Sequence, residues 1–160
     1  MQILMAMEFL ILTASRSGEV RNAEWSEIDL AAAIWSIPAK KMKANRDHRV
    51  PLSPRAIEIL KLARDRSKTG TLVFEGNRLG TPLSDMTLSK LVKDLGFDAD
   101  VHGFRTSFRT WTQEQTDYPR EVAEAALAHS IRNRSEAAYA RSDLFEKRRT
   151  MMNAWSYFLA

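Results

Sequence analysis

Six side chains of this 160-residue chain stand out as candidates to hold, protonate or attack a phosphate, namely Arg16, Lys43, His102, Arg105, His129 and Tyr139, with Glu19 as a carboxylate that can support Arg16. Arg16 follows LTAS and precedes SGE, where one expected helix ends and another begins. With Glu19 on the next turn it can form a guanidinium held by its own carboxylate, which is how a bidentate phosphate fork is pre-organised; arginines at such junctions also cap carbonyls. His102 and Arg105, in HGFR, are spaced i, i+3 at a helix start, so both can face one ligand beside the orphan amides of that end. A capping histidine with a surface arginine is the ordinary alternative. Lys43 sits in KKMKANRDH with Lys40, Lys41 and Arg46, and Arg49 follows. Such a run is usually a solvated face, but a lysine on a hairpin tip can enter a DNA groove and, unlike arginine, can give up its proton to a leaving oxygen.

Tyr139 lies among small residues in LAHSIRNRSEAAYAR, with His129 upstream and Arg141 beside it. It is either an anchor into the core or a nucleophile. Two arginines, a lysine, two histidines and a tyrosine suit phosphodiester transfer without a metal: the arginines and His129 would hold the pentacoordinate phosphate, doing the electrostatic work otherwise given to Mg²⁺. A phenol titrates at about 10 when unperturbed, and that positive field would favour its attacking phenolate. The acids are scattered and do not form the carboxylate cluster of a two-metal nuclease.

These residues need a scaffold, and apolar spacing and caps supply a coarse one. Helices are expected over 2–13, from Ser17 to Trp25, from a Ser53-Pro54 cap to Arg66, and from a Ser84 cap to Leu95, then over 103–115, 119–128, 134–141 and 143–158. IWSIP and RVPL are expected strands of a hairpin with a basic tip, LVFE a further strand, and Gly76 to Pro82 a loop. The reading is one mainly α domain over 1–160 with a small antiparallel β-sheet. The opening MQILMAMEFLILTAS is interrupted by Glu8 and falls short of the roughly 20 residues a membrane span needs, so it reads as a buried helix of a domain whose earlier residues lie outside this chain. The absence of cysteine excludes thiol chemistry and is compatible with a reducing compartment. A net charge of +4 says little by itself. Residues 1–38 carry two Lys/Arg against five Asp/Glu and residues 39–70 carry ten against three, which points to a basic patch.

In order, LTASRSGEV, WSIPAKKMKANRDHRVPLS, HGFRTSFRTW and ALAHSIRNRSEAAYAR resemble the catalytic domain of tyrosine recombinases, in wording most like the prophage and genomic-island integrases. The resemblance implies the DNA breaking-rejoining fold. It makes Arg16 and Arg105 the catalytic arginines, Lys43 the hairpin lysine (placed by counting back from VPL), His102 the first histidine, His129 the later one, Tyr139 the nucleophile and Glu19 an acidic support. It implies cleavage to a 3′-phosphotyrosyl link followed by strand exchange, with no metal, ATP or other cofactor. Lys40, Lys41, Arg46 and Arg49 are expected on DNA. The implied partners are double-stranded recombination sites and, in the full-length protein, a homotetramer on DNA in the bacterial cytoplasm. The isolated chain is expected to be monomeric and to lack the N-terminal DNA-binding domains and first helix of the family.

Three rivals remain at this point: a phosphate-gripping module without turnover, a regulatory helical protein, and a topoisomerase of type IB chemistry. The tail carries an apolar stripe of Leu144, Met151, Met152, Trp155, Phe158 and Leu159 opposite Glu146, Lys147, Arg148 and Arg149. It must be buried either on its own domain or on a neighbouring protomer.

Overall fold

The computed structural model describes residues 1–130 and 142–160. Helix α1, Gln2–Thr13, buries Met5, Ala6, Phe9, Leu10 and Leu12 and packs on three other helices and the C-terminal one, as a helix apolar around most of its girth must. Helix α2 spans Ser17–Arg21 and stops short of the expected Trp25. The cause is local. Asn22 closes the last turn, its backbone N–H and Nδ2 donating to Gly18 O at 3.2 and 2.8 Å, and Ala23 N–H then reaches only to Val20 O at 3.2 Å. Residues 23–25 then pair with residues 71–73 through Trp25 N–H to Thr71 O and Val73 N–H to Ala23 O, 2.9 Å each, before a 3-10 turn at Trp25–Glu27.

Three short strands follow, antiparallel in the order β1-β2-β3: β1 Ile28–Asp29, β2 Ile34–Ile37 and β3 His48–Pro51. The hairpin of β2 and β3 is the expected one, with Trp35 opposite Val50 and Ile37 opposite His48. Strand β1 was not expected; two residues are too few for a period-2 signal. LVFE forms no strand. It contributes only the isolated bridges Glu24 to Leu72 and Glu75 to Pro82, which close the loop where Gly76 is so near Pro82 that a Cβ would meet its carbonyl oxygen at 2.6 Å.

Helix α3, Pro54–Asp65, begins as expected, with proline at its first turn and Ser53 Oγ accepting from Ala56 N–H at 3.3 Å. Helix α4 runs Thr87–Asp94, but Ser84 does not cap it through its side chain: its hydroxyl lies 2.7 Å from that of Thr87. Helices α5 (Gly103–Gln115), α6 (Arg120–Ala126) and α7 (Phe145–Leu159) complete the described chain. The helix expected over 134–141 lies outside the described residues. The fold is therefore mainly α with a small antiparallel sheet, as the sequence implies.

Two apolar clusters hold it together. The larger joins α1, the sheet, α3 and α4, with Phe9 between Trp35 and Phe74. The smaller joins α5, α6 and α7 around Phe108, Trp111 and Trp155. Helix α7 thus docks on its own domain, with Met151, Met152 and Trp155 buried and Trp155 Nε1 donating to Ile11 O at 2.8 Å. Within this single chain the stripe packs in cis; its end, Phe158 and Leu159, is about half exposed, with Phe158 still against Trp111 and Trp155. The charged side needs correction too, because Arg148 is 1 % exposed.

Candidate active site

Helices α1 and α6 end alike. Ala14 and Ala128 adopt left-handed backbone, with φ of 51° and 54°. The next residues, Ser15 and His129, donate their N–H back to Leu10 O at 3.3 Å and Glu124 O at 3.0 Å, while Ala14 and Ala128 donate to Ile11 and Ala125. These are Schellman turns, each holding alanine where glycine is usual, at a cost of about 1–2 kcal/mol. Their effect is to throw the chain off each helix at a fixed angle, delivering Arg16 after one and His129 after the other.

Arg105, in the first turn of α5, ties the two ends together. Nη1 donates to Ala14 O and Nη2 to Leu127 O, each at 2.6 Å, and the residue is 4 % exposed. A guanidinium suits this place because the C-terminal ends of two helices are the negative ends of their dipoles. Neither carbonyl neutralises its charge. Burial, reinforced by repulsion from Arg16 and only partly offset by Glu19, lowers its pKa to about 10.

Arg16 is the N-cap of α2. Its backbone N–H donates to Glu19 Oε2 at 2.9 Å and its Nη1 to Glu19 Oε1 at 3.0 Å, and Glu19 is itself buried. One carboxylate therefore orients one guanidinium beside a second that has no acid of its own among the described residues.

His48 faces this positive field and Arg148 adds to it there; the sequence reading missed both. His48, at the start of β3, has its pKa pushed down to about 3, first by burial and then by Arg148, Arg105 and Arg16. Arg148, from α7, donates through Nη2 to Arg49 O at 2.5 Å and through Nη1 to Asp143 O at 3.3 Å, and the same Nη2 lies 3.5 Å from His48 Nε2. A guanidinium can only donate, so His48 Nε2 is the accepting nitrogen. Each was detectable. His48 alternates with inward-facing Val50, and Arg148 stands three, four and seven residues before Met151, Met152 and Trp155, on the apolar stripe itself.

The hairpin cations separate. Lys40, Lys43 and Arg46 are exposed at the tip. Lys41 turns back: its Nζ donates to Asn22 O and Glu24 Oε1 at 2.9 Å each and pairs with Glu27. Arg49 is exposed but grips Asp143 with two bonds of 2.9 Å and lies over the Phe145 ring at 4.3 Å. Arg55, counted in the same basic stretch, is held by Glu8 and Glu58. The expected basic patch is thus narrower than the charge count, because much of it is spent on acids of other elements.

His102 is exposed and precedes α5, whose first amide is capped by Asp100 Oδ1 at 2.6 Å. His129 is exposed as well, and its Nδ1 lies 2.5 Å from Glu124 Oε2, while Glu124 Oε1 accepts from Arg109 Nε at 2.9 Å. Burial would raise the Glu124 pKa, but the bonds from His129 and Arg109 outweigh it and lower the value. The structure brings Arg16, Glu19 and Arg105 together, with His129 two residues beyond Leu127, whose carbonyl Arg105 holds. Lys43 has no hydrogen bond to this group among the described residues. Tyr139 lies outside them.

The sequence profile of the phage integrase family matches residues 1–144. The chain belongs to the phage integrase family. Among its relatives in the family, prophage integrase IntA of Escherichia coli (strain K12) is 39% identical over 149 residues, which cover 91% of this chain and 36% of IntA. The chain therefore spans little more than a third of that relative's length. Its fold matches that of the integrase from mycobacterium phage Brujita with a TM-score of 0.70 at 18% identity, over 96% of this chain and 51% of the other. It also matches a lambda integrase tetramer bound to a Holliday junction, with a TM-score of 0.60 at 21% identity, over 89% of this chain and 42% of the other. Within this phage integrase fold the described residues include no helix long and apolar enough to cross a membrane.

Proposed function

We propose that the chain is the catalytic part of a site-specific recombinase that cuts and rejoins DNA through Tyr139. The observation that carries this reading is the pair of guanidiniums, Arg16 and Arg105, fixed by Glu19 and by two helix-end carbonyls and left with a net positive charge. Such a pair binds an anion with two charged faces, as the non-bridging oxygens of a phosphodiester present. Family membership supports reading that anion as a DNA phosphate, and the likeness to a lambda integrase tetramer bound to a Holliday junction supports a homotetramer on DNA for the whole protein.

The chemistry follows from the residue types. The Tyr139 phenolate attacks the scissile phosphorus, and Arg16, Arg105, His102 and His129 take up the charge that grows on its oxygens. Lys43 gives a proton to the departing 5′ oxygen. The phosphorus–oxygen bond lost to the strand is replaced by one to the tyrosine, so the 3′-phosphotyrosyl link keeps the energy for rejoining. A 5′-hydroxyl from the partner strand then attacks, frees Tyr139 and completes the exchange. The arginines do the electrostatic work, so neither metal nor ATP enters. The test is to mix the chain with a library of nicked duplexes in EDTA and separate covalent adducts on denaturing gels. Adducts formed by the wild type and lost in Tyr139→Phe support the reading. Adducts that persist in the variant, or that need Mg²⁺, refute it.

A further inference from the structure

Glu124 has no part in the chemistry above, yet it touches the site twice. The Schellman turn at Ala128 folds His129 back so that its backbone N–H bonds Glu124 O at 3.0 Å and its ring Nδ1 meets Glu124 Oε2 at 2.5 Å. The other oxygen is taken by Arg109 Nε at 2.9 Å, and Arg109 Nη1 reaches on to Thr112 Oγ1 at 3.4 Å. The carboxylate is therefore fixed on one side by α5 and fixes the imidazole on the other.

We propose that Glu124 is a positioning residue for His129, an inference that rests on the recombinase reading for its catalytic consequence. A carboxylate only accepts, so Nδ1 carries a proton, and Nε2 is the nitrogen turned toward a substrate phosphate, to which it donates when the ring holds a proton on both nitrogens. Because both neighbours of Glu124 are donors, a group with two acceptor oxygens is required. Glutamine offers one acceptor and one donor and cannot serve both. Arg109 is the second member of the device, since without it Glu124 is free to swing and the ring with it. The arrangement uses one carboxylate to set the tautomer and direction of one imidazole, as carboxylates behind functional histidines do elsewhere.

Two measurements test this, and they can fail separately. With three histidines in the chain, long-range nitrogen–proton NMR resolves each ring. His129 of the wild type should carry a proton on Nδ1, and Glu124→Gln should change that signature while His48 and His102 keep theirs. In the nicked-duplex assay, Glu124→Gln should form adduct roughly 10- to 100-fold more slowly with DNA affinity unchanged, because the ring is misdirected rather than lost. A wild-type His129 protonated only on Nε2 overturns the proposal even if the variant does not fold. So does a variant whose adduct rate stays within about twofold of wild type while Tyr139→Phe abolishes adducts. If the NMR change appears but Tyr139→Phe still forms adducts, the positioning stands and the nucleophile must be reassigned.

Discussion

The depressed pKa of His48 predicts a specific acid sensitivity. The ring titrates at about 3 in the fold against an ordinary 6.5, because it is buried and faces Arg148, Arg105 and Arg16. A lowered folded pKa contributes stability that is present above 6.5 and lost as pH falls toward 3. Between about pH 7.5 and about pH 5 the linkage relation gives a loss on the order of 2 kcal/mol, an upper value because solvent at the ring's open edge screens the arginines. With a urea m-value of about 2 kcal/mol per molar, that moves the unfolding midpoint by roughly 1 M. Glu24, Glu75 and Glu124 also have lowered pKa values, but against an ordinary 4.5, so most of their loss falls below this window. His48→Gln keeps an oxygen that can accept from Arg148 and removes the titration. Urea unfolding of both proteins at the two pH values isolates His48, since every other group is common to them. The variant should lose most of the acid shift; an acid shift equal to the wild type's would refute the placement of His48 among the arginines.

Arg105→Lys should lower stability by about 1.5–3 kcal/mol, because one ammonium cannot reach both Ala14 O and Leu127 O and a buried carbonyl is stranded; an unchanged urea midpoint would contradict the bridge. Ala128→Gly should raise stability by up to about 1 kcal/mol, since φ of 54° disfavours a side chain, and a lower melting temperature would show the turn to be unstrained. Lys43→Ala should slow cleavage, and sulfur in place of the bridging 5′ oxygen should restore much of the rate, because a thiolate leaves without a proton. Lys41→Ala should instead lower stability by stranding Glu24 and Glu27, and rescue of that variant by sulfur would move the general acid to Lys41.

The sequence made some of this visible and hid the rest for physical reasons. Long periodic segments and strong caps were legible: α1, the β2–β3 hairpin, and α3 with its Ser-Pro start. Short elements were not, because β1 has two residues and α2 only five, too few for a periodic signal. Arg16, Glu19 and Arg105 could be named from spacing, but the device that joins them could not. The bridge of Arg105 runs between turns 91 and 22 residues away along the chain, and both turns use alanine where the signal would have been glycine. Arg148 and His48 were passed over for a related reason. Charge was read as exposure, whereas here a guanidinium is buried because backbone carbonyls and an imidazole nitrogen accept its protons.

The central claim is that Tyr139 becomes bonded to DNA, and peptide mapping of the covalent adduct tests it most directly. After nuclease and trypsin digestion, mass spectrometry should find the nucleotide phosphate on the peptide SEAAYAR, residues 135–141, joined through the tyrosine and to a 3′ end. The same label on Tyr118, Tyr157 or a serine, or a link to a 5′ end, would contradict the account.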